Sequence, residues 1–162
     1  MKLIHLSDLH IGKRVNEFSM LEDQRAILSQ ILTAVKREQA DGVLVAGDIY
    51  DKPVPPAEAV QMFDEFLTRL AELGTPVFVI SGNHDSAERV AFGARLMSGR
   101  GVYVSPVYDG NVTGITMKDK YGEVVVYLLP FVKPALVRHV FEDEDPGSYQ
   151  DAVRIAVDHI AV

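Results

Sequence analysis

The stretch Gly42-Val43-Leu44-Val45-Ala46-Gly47-Asp48-Ile49-Tyr50-Asp51 decides the fold. Val43 to Ala46 is an apolar run without alternation, bounded by glycines, which is the pattern of a short strand covered on both faces. Gly47 allows a tight turn or the close approach of another group, and Asp48 is delivered just past the strand. Two other runs end in the same way. Leu3-Ile4-His5-Leu6-Ser7 precedes Asp8-Leu9-His10, and Val77-Phe78-Val79-Ile80-Ser81 precedes Gly82-Asn83-His84-Asp85. Ligands of open α/β sheets bind beyond the carboxyl ends of the strands, so three strands releasing Asp, His and Asn there predict a site.

Helices are predicted between these strands. Ser19-Met20-Leu21-Glu22 has capping-box spacing and opens a helix to about Gln39, with Leu28, Ile31, Leu32 and Val35 on one face. Pro56 stands at the first turn of a second helix that ends near Leu73, with Gly74 as its C-terminal cap. Its apolar residues form two sets: Val60, Phe63, Leu67 and Leu70, and then Met62, Phe66 and Leu73. They are either one wide core face or a core face plus a face for self-association. Ser86 caps a helix from Ala87 to about Met97, closed by Gly99 or Gly101, and Val102 to Val104 is a short strand. Residues 111–117 and 123–129 flank a polar turn and predict an antiparallel hairpin. A second capping box, Ser148 to Asp151, opens a last helix that shows no stop signal at Ile160-Ala161-Val162, as in a fragment. The whole, residues 1–162, reads as a single α/β domain.

Composition excludes little. The chain is 48% hydrophobic and 24% charged, as expected of a globular domain. It shows no membrane-spanning run and no signal-peptide pattern. With no cysteine there is no thiolate metal site, and a cytoplasmic location is expected. The net charge of −7 argues against a generally basic nucleic-acid surface. However, Glu142 to Asp145 carries four of the negative charges in one segment, while Lys13, Arg14, Lys52 and Arg89 follow the motifs closely.

The side chains themselves point to metal chemistry. Asp8, His10, Asp48 and Asn83 supply carboxylates, an imidazole and an amide oxygen, donors that suit manganese, iron or zinc. A carboxylate such as Asp48 can bridge two ions, and two cations about 3.5–4 Å apart are the apparatus of in-line displacement at phosphorus. His84 would then position the phosphate or protonate the leaving oxygen, with Asp85 fixing its tautomer. Each motif alone is a common turn; their conjunction carries the prediction. Lys13, Arg14 and Arg89 are candidate phosphate or DNA contacts, although single exposed charges are more often simply solvated. His5 reads as a packed sheet residue, and His139 and His159 as residues without a partner motif.

Asp8-Leu9-His10, Gly47-Asp48-Ile49-Tyr50-Asp51 and Gly82-Asn83-His84-Asp85, in this order, resemble the motifs of the calcineurin-like metallophosphoesterases. The longer stretches Ile4 to Gly12, Ala46 to Asp51 and Ile80 to Ser86 are similar to the SbcD-type nucleases of DNA double-strand-break repair. The resemblance implies a metallophosphoesterase-type α/β sandwich, with mixed sheets flanked by helices. It also implies a manganese-dependent nuclease acting on DNA ends and hairpins, an SbcC-type ATPase partner, and a homodimer built partly on helices near the site. Asp8, His10 and Asp48 would hold one ion, Asp48 and Asn83 the other, and His84 would be catalytic. The family completes its site with further histidines, including a Gly-His-x-His motif that this chain lacks. The chain therefore reads as the N-terminal part of a longer catalytic domain, truncated at its C-terminus and itself possessing an incomplete site. Two rivals accompany this expectation: a phosphoesterase acting on small phosphodiesters or phosphoproteins, and a non-catalytic dimerisation or scaffold fragment.

Overall fold

The computed structural model describes residues 1–160. Its centre is a sheet of four parallel strands: β1 (Leu3–Leu6), β4 (Gly42–Ala46), β5 (Val77–Ile80) and β6 (Val102–Val104), side by side in that order. Between β1 and β4 come a two-residue-per-strand hairpin, β2 (Arg14–Val15) with β3 (Phe18–Ser19), and helix α1 (Leu21–Glu38). Helix α2 (Ala57–Glu72) joins β4 to β5, and two single turns, α3 (Ala87–Val90) and α4 (Ala94–Met97), lead to β6. The strand order never reverses, so right-handed crossovers put the helices on one face, and α1 packs against α2 there.

Strand periodicity divides the sheet's side chains between its faces. Val43, Val45, Val77, Val79, Val102 and Val104 face the helices in one core with Leu28, Leu32, Val35, Met62, Phe66 and Leu70. On the other face, Phe78 stacks on Tyr103 at 5.5 Å between ring centroids. That face is met by an antiparallel hairpin, β7 (Thr113–Asp119) with β8 (Gly122–Leu128), which forms its own two-stranded sheet. Helices α5 (Pro134–Val140) and α6 (Tyr149–Asp158) close a smaller core of Tyr108, Val132, Val137, Ala152, Ile155 and Ala156. The antiparallel pairings thus lie in separate small sheets, and the main sheet is parallel throughout.

Several local expectations change. Met62 and Phe66 are buried, as are Phe63, Leu67 and Leu70, so most of the wide apolar face of α2 belongs to the core, while Val60 and Leu73 are exposed. Ser19 is not the cap of α1. It is paired with Arg14 in the small hairpin, and Met20 occupies the cap position without a side-chain bond. No sequence pattern predicts this hairpin; Asn16 and Glu17, at φ 47° and 68°, make its turn. The helix from Ala87 is broken by a turn whose last residue, Gly93, has φ 75°. Ser148 does cap α6, accepting a bond from the Asp151 amide at 3.1 Å. That helix ends at Asp158 rather than running to Ile160, and Ala161 and Val162 lie outside the described residues. His5 is exposed on the edge strand β1. No described helix is long and apolar enough to cross a membrane.

Candidate metal centre

The sheet's backbone pairing continues past the ends of β1 and β4, and this continuation builds the site. The amide of Asp8 donates to the carbonyl of Gly47, that of His10 to Asp48, that of Ile11 to Ile49, and that of Asp51 to Ile11. Ile11 is 1% exposed, so the loop that follows β1 is nailed into the core two residues before it turns away. To follow this path Asp8, His10 and Asp48 adopt φ values of 56°, 43° and 49°. Left-handed backbone costs a non-glycine residue of the order of 1 kcal/mol or more, and it persists only where surroundings over-determine it. Three of the six such residues among the described residues are three of the four candidate ligands.

Their side chains converge. One ligand atom from each of Asp8, His10 and Asp48 lies within 4.8 Å of the others, and this is the one such group among the described residues. The His10 Nε2 stands 3.8 Å from Asp8 Oδ1 and 4.0 Å from Asp48 Oδ2. Those gaps are too long for hydrogen bonds. They match the separation of about 3–4 Å between donors that each stand about 2.1 Å from a shared ion. The donor set, two carboxylates and an imidazole with no sulfur, suits a divalent cation of the manganese, iron or zinc type.

The turn after β5 is fitted against the turn after β4. At Gly82 a Cβ would fall 2.1 Å from Asp48 Oδ1 and 2.3 Å from its nitrogen, and at Gly47 a Cβ would fall 2.7 Å from the Gly82 Cα. Gly47, at φ 84°, therefore meets both of the demands that a glycine there can serve. Asp48 Oδ1 accepts the His84 amide at 3.0 Å, leaving Oδ2 turned to His10. The rings of His10 and His84 meet edge to face at 4.9 Å. Asp8, Asp48 and Asn83 line one open cleft of about 440 Å³, whose opposite wall is Leu129, Pro130, Phe131, Val132, Tyr149 and Val153.

Asp85 differs from its expected role. Its carboxylate accepts the amides of Ile49 at 3.1 Å, Tyr50 at 2.9 Å and Gly82 at 2.8 Å, tying the β4 turn to the β5 turn. It makes no bond to the His84 ring. His84 Nδ1 instead lies 3.3 Å from the Asp51 carbonyl oxygen. A carbonyl only accepts, so this contact places a proton on Nδ1 and leaves Nε2 outside it. Burial, and then the charges of Asp85 and Asp64, push the Tyr50 hydroxyl up to about 12, so it stays protonated and neutral.

The candidate phosphate contacts are dispersed. Lys13 lines a groove with Asp8 beside β1 and α1, and the Arg14 guanidinium bonds the Glu17 carbonyl within the small hairpin. Arg89 is exposed on α3. Two further residues escaped sequence reasoning. Ser7 donates to Asp8 Oδ2 at 2.5 Å, and Gln24 of α1 bonds the loop that carries Asp8 and His10. Neither has a motif of its own to announce it.

The family model described as calcineurin-like phosphoesterase matches residues 1–153. That span contains all three strand-end turns and the carboxylates and imidazole gathered around them. A metal-dependent phosphoesterase site is what such a family uses, and by this match the chain belongs to the calcineurin-like phosphoesterase family.

Proposed function

We propose that the chain carries the first part of the two-metal centre of a DNA nuclease of the SbcD type, cutting phosphodiester bonds at ends and hairpins during DNA repair. The observation that carries the reading is the convergence of Asp8, His10 and Asp48 within 4.8 Å at the carboxyl end of a parallel sheet. The nuclease branch rests on the sequence stretches Ile4 to Gly12, Ala46 to Asp51 and Ile80 to Ser86. Asp8, His10 and Asp48 would hold one ion, and Asp48 and Asn83 the other, with Asn83 offering a neutral oxygen. Two divalent ions, manganese for preference, would there neutralise phosphate oxygens and lower the pKa of a water.

The protein's own part is positional. Asp48 is fixed through Oδ1 by the His84 amide, so its other oxygen keeps one orientation. His84, held through Nδ1 by the Asp51 carbonyl, turns Nε2 outward; with both ring nitrogens protonated, the imidazolium would donate from Nε2 to a phosphate oxygen or pass that proton to the leaving oxygen. Lys13 and Arg89 are exposed to follow a nucleic-acid backbone, in a chain whose acidic excess lies partly in Glu142 to Asp145. An SbcC-type ATPase and a second copy of the chain are the proposed partners, in a cytoplasmic setting. The exposed Phe92 and Leu96, at 85% and 86%, support a self-association surface around α3 and α4.

The test is manganese titration by calorimetry of the chain and of Asp48→Ala, with cleavage of a hairpin DNA and of a small phosphodiester in parallel. Binding lost in Asp48→Ala, with cleavage of the hairpin preferred, supports the reading. Preference for the small ester moves the chain to the small-substrate branch of the family. Absence of both binding and cleavage leaves this chain as a scaffold.

A further inference from the structure

We propose that Gln24 is a positioning residue for the metal centre, its carboxamide holding the Asp8–Gly12 loop in the backbone shape that brings Asp8 and His10 together. The inference rests on the metal reading of that site. Gln24 Nε2 donates to the carbonyls of Leu9 at 3.2 Å and His10 at 2.8 Å, while Oε1 accepts the Gly12 amide at 3.0 Å. The loop is thus gripped from two sides. Amides of Asp8, His10 and Ile11 bond to the β4 turn, and groups of Leu9, His10 and Gly12 bond to one side chain of α1.

The chemistry demands a carboxamide. Two carbonyls and one amide must be met at one place, and only an amide side chain offers a two-proton donor beside an acceptor. The position demands reach, since Gln24 stands in the first turn of α1, which is itself anchored because the Gln24 amide bonds the Met20 carbonyl. With φ at 56° for Asp8 and 43° for His10, the loop has a ready route to relax once that grip is lost. Relaxation turns the His10 imidazole away from the carboxylates, because the ring's direction is set by its own left-handed backbone.

Calorimetric Mn²⁺ titration and amide hydrogen exchange on the metal-free chain, applied to Gln24→Met and to a control Gln30→Met, test this. Gln30 is an exposed residue of the same helix. In Gln24→Met, Mn²⁺ affinity is expected to fall about 10- to 100-fold, as when outer partners of metal ligands are removed. The amides of His10 and Ile11, on the far side of the loop from Gln24, should exchange faster, while Gln30→Met stays near the parent in both measurements. Parent-like affinity in Gln24→Met overturns the inference. A parent chain that binds no Mn²⁺ sinks the metal reading instead. Positioning is then decided by exchange alone, and unchanged rates at His10 and Ile11 overturn it.

Discussion

The parallel-sheet half and the hairpin half of this molecule use their polar side chains in opposite ways. In the first, they tie together segments far apart in sequence. Asp85 reaches back 36 and 35 residues to the Ile49 and Tyr50 amides, and the Asp48 carboxylate meets an amide 36 residues on. In the second, they serve turns. Asp109 bonds the Asn111 amide two residues away, Asp119 those of Tyr121 and Gly122, and Ser148 that of Asp151. Long ties fix the relative place of loops, which a multi-ligand site requires; short ties only shape the chain locally. The difference explains why the convergent ligands all belong to the first half.

Removing the core beneath the long ties should have the largest effect. Phe66→Ala, at a position 2% exposed, is expected to cost about 3–5 kcal/mol in urea unfolding. If the halves unfold as one unit, a probe in the hairpin half shifts by the same amount; a hairpin transition that stays in place would break the picture of a single cooperative domain. Next comes a comparison of two aspartates. Asp85→Ala strands three backbone amides and should lose about 3 kcal/mol together with metal binding. Asp109→Ala should lose about 0.5–1 kcal/mol and leave metal binding intact. Equal losses in thermal unfolding would erase the distinction between long and short ties.

The smallest effect comes from one ion pair that crosses the halves, the Met1 ammonium with Asp119 at 2.6 Å. Its bond to Asp119 raises the amine above its usual 8.0, so that contribution is complete below pH 8 and fades as pH rises through the folded value. The same bond lowers Asp119 from 3.8, so its share is present above that pH and fades as pH falls through the folded value. Acetylating the amine should flatten the alkaline limb of a stability–pH profile. An unchanged limb would show that the contact carries no stability.

Much of the fold is legible in the sequence, and the exceptions share a cause. Val43 to Ala46 announces a buried parallel strand because an apolar run between glycines has few other readings, and Val77 to Ile80 follows the same pattern, whereas β1 is an edge strand with His5 exposed. Ser148 announces its helix because a cap is made by neighbours in sequence. Ser19 has the same spacing and fails, since pairing with Arg14 claims it first. The α2 face was ambiguous because periodicity reports that Met62 and Phe66 are covered without saying by what; they share one core with Leu28 and Leu32 of α1 and the sheet valines. Asp85 sits beside His84 in the chain, yet its partners are anonymous amides that no residue type encodes. Gln24 was invisible for that same reason.

The pairing that runs on beyond β1 and β4 has a mechanical consequence. Because Asp8, His10 and Ile11 are laced to Gly47, Asp48 and Ile49, the first two turns behave as one plate rather than as two independent arms. The spacing of their donors is then inherited from the 4.7–4.9 Å gauge of neighbouring strands. A cation arriving there would meet a bed already cut to its width, and would have to do little work to assemble it.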